Sequence, residues 1–285
     1  MIIKNIKKDY GHMSTVVMYR REFTAEPPTC LIHHEINCQI CFKRGKFKNI
    51  DINTLTPDEK KKFFSNRKSS TRRSKTSVTD YALCNKFSQF ITLTFDQKLT
   101  DSFNYDLCKK LVSKWINNQR RHSPLLTYIL VAEKHKSGAI HFHMITNNYR
   151  GELTTAVNPK TGKIVRKKGK TIYNIDGWKY GFSTLSNIDN QQATAYYLQK
   201  YLTKDFIEAF NKKRYWVSRG LIKPVKDYNV NEEQEILNHP PLFRSVYKTD
   251  SYYLYTMRKG AEQTRSLEDI KRFAQRARRD IVSSH

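Results

Sequence analysis

Near Phe87 the arrangement of apolar and polar residues changes character. "FITLTF" (90–95) alternates β-branched and aromatic residues with threonine, which predicts a strand. "DSFNYDLCKKLVSKWINNQRRH" (101–122) sets Leu107, Cys108, Leu111, Val112 and Trp115 on one face at helical spacing, the pattern of an amphipathic helix. "LTYILVAE" (126–133) and "AIHFHMIT" (139–146) read as two further strands, and the turn residues of "HKSG" (135–138) join them as a hairpin. The Gly- and Lys-rich "VNPKTGKIVRKKGKT" (157–171) predicts a basic hairpin or mobile loop. A short strand, "YGFSTLSNI" (180–188), runs into cap-type residues Ser186, Asn187, Asp189 and Asn190, so a helix is expected over about 191–210. Beyond it, 213–224 reads as an irregular basic and aromatic segment, 251–257 as a strand and 266–282 as a basic amphipathic helix.

Residues 1–88 lack such periodicity. Within them, 43–75 hold 12 basic residues against 3 acidic ones, and the stretch "NRKSSTRRSKTS" (66–77) reads as flexible or ordered by nucleic acid. Charge then widens the picture. The whole chain of 285 residues has 52 Lys+Arg against 26 Asp+Glu, a formal +26, which points to a polyanionic partner. No run of 18 or more apolar residues and no apolar leader occurs, so a soluble, unexported protein is expected, with no membrane partner. Five scattered cysteines, Cys30, Cys38, Cys41, Cys84 and Cys108, suit a reducing cytoplasm. One main domain with appendages is expected.

Candidate chemistry begins in the second hairpin strand. His141 and His143 leave one face of it, while Ile140, Phe142 and Met144 leave the other. With a turn near Lys136 and Ser137, Glu133 falls opposite or diagonal to His141. Two imidazoles and one carboxylate on one sheet face can hold a divalent cation with positions open for substrate. The plain alternative is that both histidines are polar residues on the wet face of a half-buried strand.

A nucleophile is available in "NQQATAYYLQKYLTKDF" (190–206). At about 100° per residue, Tyr197, Tyr201 and Lys204 share one narrow wedge of a helix, with Leu198 and Leu202 turned toward the sheet. A phenol with a pKa of about 10 is a poor nucleophile at neutral pH, but a nearby lysine and a metal-polarised phosphate make its attack feasible. Among 17 tyrosines, two at this spacing can equally be packing residues.

Taken in order, these segments resemble the HUH endonucleases, and specifically the rolling-circle replication initiators of bacterial plasmids and small single-stranded DNA phages. "FITLTFD" (90–96) resembles the hydrophobic, threonine-containing first motif, His141-Phe142-His143 the second, and "YLQKYLTK" (197–204) the two-tyrosine form of the third. The resemblance covers roughly residues 85–215 and implies an α+β fold, a central antiparallel sheet flanked by helices, ferredoxin/RRM-like. It implies His141, His143 and Glu133 as ligands of Mn²⁺ or Mg²⁺. It implies Tyr201 as first nucleophile with Lys204 three residues on, and Tyr197 with Lys200 as a second. The reaction implied is site-specific nicking and joining of one DNA strand at an origin through a 5′-phosphotyrosine, in the cytoplasm of a bacterial host. Residues 1–84 form a basic N-terminal region and 216–285 a basic C-terminal extension, flanking the nicking domain. With no Walker-type Gly-rich loop, no nucleotide cofactor is expected, and a host helicase and DNA polymerase become the expected partners.

"CLIHHEINCQIC" (30–41) adds Cys30, His33, Cys38 and Cys41, two close pairs of ligands able to hold a structural Zn²⁺, with chance clustering of thiols as the alternative. Candidate phosphate contacts are Arg67, Lys68, Arg72, Arg73 and Lys75 in the basic stretch, and Lys167, Lys168 and Lys170 in the insertion. A transposase or relaxase uses the same chemistry, and a non-catalytic reader would use aromatic stacking alone. A non-haem iron oxygenase also uses two histidines and a carboxylate, but leaves the charge and the tyrosine helix without a role.

Overall fold

The computed structural model describes residues 2–11, 13–24, 55–167, 169–202, 213–231, 247–248 and 252–258. The chain divides into two compact units, one of residues 1–28 with 223–285 and the other of 29–222. This differs from the three consecutive segments expected. The boundary placed after residue 84 falls at the end of a helix that packs inside the second unit, and the N-terminal strands associate with segments from the far end of the sequence.

In the first unit, β1 (Ile2–Asp9), β2 (Met13–Thr24), β12 (Val225–Tyr228), β13 (Tyr247–Lys248) and β14 (Tyr252–Arg258) form an antiparallel sheet in the order β12-β1-β2-β14-β13. Polar residues occupy buried positions here. Asn5 is satisfied by Val230, donating to its carbonyl at 3.1 Å and accepting from its amide at 2.8 Å. The expected strand near 251–257 is β14.

The second unit is built on a seven-stranded antiparallel sheet. Its order is β11 (Tyr215–Val217), β4 (Thr127–Lys134), β5 (Ile140–Asn147), β3 (Gln89–Thr94), β10 (Ser183–Asn187), β9 (Tyr173–Ile175) and β6 (Leu153–Thr155). The hairpin read from the sequence is β4–β5, and β11, expected to be irregular, extends the sheet along β4. The insertion forms a small basic ribbon, β7 (Arg166–Lys167) with β8 (Lys170–Thr171).

Period-2 alternation gives this sheet two different faces. Ile91, Leu93, Ala132, Phe142, Met144 and Leu185 are buried on one of them. They pack against Tyr105, Cys108, Val112, Trp115 and Ile116 of helix α2 (Tyr105–His122), with Trp178 completing an aromatic cluster with Phe95. Asn104 caps α2 by accepting from the Leu107 amide at 3.1 Å, and Arg120, Arg121 and His122 complement the dipole of its last turn. These are the residues whose helical spacing predicted the element.

The opposite face carries the histidines and is served by helix α1 (Pro57–Cys84) and helix α3 (Gln191–Gln199), which runs on into a 3₁₀ turn, Lys200–Leu202. Helix α1 corrects the expectation of a flexible stretch at 66–77. Thr56 and Glu59 form a reciprocal capping box, Pro57 stands at the first helical position, and no glycine or further proline interrupts the 28 residues of the helix. Phe63, Val78, Ala82 and Leu83 bury its inner side. The Gln191 side chain joins the two helices, donating to the carbonyls of Ala82 (2.9 Å) and Asn85 (2.5 Å). Among the described residues no helix is long and apolar enough to cross a membrane.

Candidate active site

Hairpin register places Glu133 directly opposite His141 and Val131 opposite His143. On the other side of β5, Thr92 pairs with His143 and Thr94 with His141. Glu133, His141, His143, Thr92 and Thr94 therefore share one sheet face. Their side chains connect in two rows. Glu133 Oε2 lies 2.5 Å from His143 Nε2, and both side chains are only 7% exposed. The Nδ1 atoms of His143 and His141 sit 3.2 Å from Thr92 Oγ1 and 3.3 Å from Thr94 Oγ1. These threonines fix the ring orientations of both histidines, a role the sequence reading did not give them. The signal was there, since threonines at period 2 stand two strands from a carboxylate, facing histidines at period 2.

His135 was also unassigned. Its ring stacks on His141 with centroids 5.1 Å apart and planes 22° from parallel, and it is exposed at the hairpin turn. Donor identity and shared placement suit a divalent cation at His141, His143 and Glu133. Glu133 here bonds His143, and among the described residues no three His, Cys, Asp or Glu side chains already converge as a ready-made ion cage.

The tyrosines arrive from above this face. Asn190 caps α3 by accepting from the Ala193 amide at 2.8 Å, and Ala195, Leu198 and Leu202 are buried, as the helical spacing of the leucines requires. Burying that side turns Tyr197 and Tyr201 toward the histidines. The Tyr201 ring stacks on His143 with centroids 3.6 Å apart and planes 13° from parallel. Tyr197 meets Tyr201 edge-on at 5.3 Å and Phe90 at 5.8 Å, and is 40% exposed. Lys200 Nζ lies 5.4 Å from the centre of the Tyr197 ring, in cation–π contact. Burial, then the hydrogen bond and charge of Tyr197, then the Glu133 carboxylate push the Tyr201 phenol well above its ordinary pKa.

Lys204 lies outside the described residues, as do Cys30, His33, Cys38, Cys41, Lys168 and the side chain of Arg67. Lys68, Arg72 and Lys75 follow one another at i, i+4 and i+7 on α1, so they form one stripe of a rigid helix rather than points on a loose tether; Arg73 beside them is exposed. Lys167 is exposed on the ribbon. Lys170 is engaged within the chain, donating to the Asn187 carbonyl at 2.7 Å and pairing with Asp189 at 2.6 Å, just before the cap of the tyrosine helix.

The family model of the replication-associated protein ORF2 matches residues 88–206, from the start of β3 past the tyrosines. No curated protein and no solved structure matches the chain. The matched segment contains the strands that carry the threonines, the carboxylate and the histidines, and the helix that carries the tyrosines, which ties the chain to DNA replication and to binding DNA. Residues 88–206 thus form a domain of the replication-associated protein ORF2 family, consistent with a rolling-circle replication protein.

Proposed function

We propose that the protein is a rolling-circle replication initiator that nicks and rejoins one strand of origin DNA through a covalent tyrosine intermediate. The observation that carries this reading is the stack of Tyr201 on His143, which brings a phenol against the histidine pair. Tyr201 Oη attacks the phosphorus and forms a phosphate ester. The P–O3′ bond breaks, its electron pair leaves on the 3′ oxygen, and that oxygen takes up a proton to become the 3′-hydroxyl that primes synthesis. Rejoining is the same step reversed, with Tyr197 placed to receive a second strand end.

His141, His143 and Glu133 would hold Mn²⁺ or Mg²⁺, whose charge polarises a phosphate oxygen. Glu133 raises the pKa of Tyr201, so neutralising its charge lowers the cost of losing the phenolic proton. Lys200 and Lys204 supply positive charge toward the tyrosines and the phosphate. Lys68, Arg72, Arg73, Lys75, Lys167 and the other basic residues contact phosphates, giving binding that weakens steeply with salt. A structural Zn²⁺ at Cys30, His33, Cys38 and Cys41 belongs to the same proposal, as do a host helicase and polymerase as partners.

The test uses a random-sequence pool of single-stranded oligonucleotides labelled at the 3′ end, so that the fragment joined to tyrosine keeps the label. Incubation with Mn²⁺ or Mg²⁺ should leave label on the protein in a denaturing gel, and EDTA should prevent it. An adduct of unchanged yield in the Tyr197→Phe/Tyr201→Phe double variant would end the assignment.

A further inference from the structure

Phe182 is 71% exposed, although the strand it introduces is otherwise well packed. Its carbonyl accepts from the Thr94 amide at 2.8 Å, continuing the β3–β10 register in which Thr184 faces Thr92 and Ser183 faces Leu93. Phe182 therefore stands opposite Thr94, on the histidine face, one strand outward from the Thr94–His141 pair.

Its backbone is held. The Asp96 amide donates to the Tyr180 carbonyl at 2.9 Å, and the Trp178 indole to the Thr94 carbonyl at 3.0 Å. Gly181, at φ +146°, lies so close to β3 that a Cβ would collide with the backbone of Thr94, Phe95 and Asp96. A large apolar ring is thus fixed by a rigid scaffold yet left to solvent. Lone exposed apolar residues are common on protein surfaces, so exposure alone assigns nothing. Here the ring flanks the candidate active site, and Lys98 and Lys179, both exposed, occur in the segments that meet there.

We propose that Phe182 is a stacking platform for one base of single-stranded DNA, setting where the strand lies as it crosses His141. Every base offers a π-face, and a positively charged surround with a fixed aromatic ring is the combination that binds single strands with little sequence preference. This rests on the nicking reading for the identity of the ligand, and Phe182 acts as a positioning residue.

The full-length protein is titrated in EDTA with a fluorescent oligothymidylate, so no nicking is needed for the readout. Phe182→Ala should raise Kd about tenfold, the usual worth of one base stacked on an aromatic ring, while Phe182→Trp should keep wild-type affinity. An oligonucleotide carrying abasic sites should lose a similar factor with the wild type and nothing further with Phe182→Ala. Equal affinity of wild type and Phe182→Ala for oligothymidylate would overturn the proposal. So would an alanine effect that persists in full on the abasic strand, since the ring would then serve some other contact, such as a protein partner. Failure of the covalent adduct would leave this binding result intact, so the two readings fail separately.

Discussion

Glu133 concentrates the physics of the site in one side chain: it is buried, bonded to His143 and close enough to Tyr201 to raise its pKa. Replacing Glu133 by Gln keeps an acceptor for the imidazole but removes the charge a cation would need. Mn²⁺ affinity measured by calorimetry should fall at least about tenfold in Glu133→Gln, with the urea midpoint little changed. Glu133→Ala should in addition cost about 2 kcal/mol, because His143 loses its buried partner. Unchanged Mn²⁺ binding in both variants would place the ion elsewhere. The residues of this face were legible because a strand writes its geometry directly into sequence. Period 2 puts His141 and His143 together, and the short turn brings Glu133 opposite them. The partnerships of Thr92 and Thr94 were not read, since knowing which strand lies beside β5 requires pairing that sequence spacing alone does not supply.

At the scale of elements, the tyrosine helix shows how little local stability the site has to spare. As an α-helix α3 spans only Gln191–Gln199, below the length at which a helix is stable by itself, so its cap and its buried side must hold it. Asn190→Ala, which removes the acceptor for the Ala193 amide, should cost about 1 kcal/mol and lower adduct yield more than it lowers DNA affinity. Affinity and yield falling by the same factor would mean that the helix also binds DNA. Helix α3, helix α2 and the β4–β5 hairpin were visible because their apolar residues repeat at the right period. Helix α1 was not, because lysine, arginine and serine fill its exposed surface and few apolar residues mark its inner side. β1 and β2 were hidden for a related reason. Asn5, Ser14 and Thr15 occupy buried positions where a strand is expected to show apolar residues.

Over the whole molecule, several acidic protons are locked in place by burial. Burial and the charge of Asp101 push the Cys108 thiol up to about 12, and Tyr105, Tyr128 and Tyr149 are raised by burial as well. In the unfolded chain these groups ionise at their lower, ordinary values, near 9.0 for the thiol. Their contribution to stability is therefore complete below about pH 9 and is lost as pH climbs toward 12, where the folded state must release the same protons. The urea midpoint should fall steadily from about pH 9 to about pH 11, and Cys108→Ala should flatten part of that slope; a midpoint constant over this interval would contradict the burial described. The excess of 52 basic over 26 acidic residues, by contrast, bears on partners and not on fold, and it was the feature that sequence revealed most cheaply. The most direct test of the central claim is mass-spectrometric mapping of the covalent product formed with single-stranded DNA and Mn²⁺. A nucleotide mass on the peptide containing Tyr201, shifting to Tyr197 or vanishing in Tyr201→Phe, is the predicted result; a nucleotide on any peptide outside 191–202, or none on a protein that nicks, would contradict it.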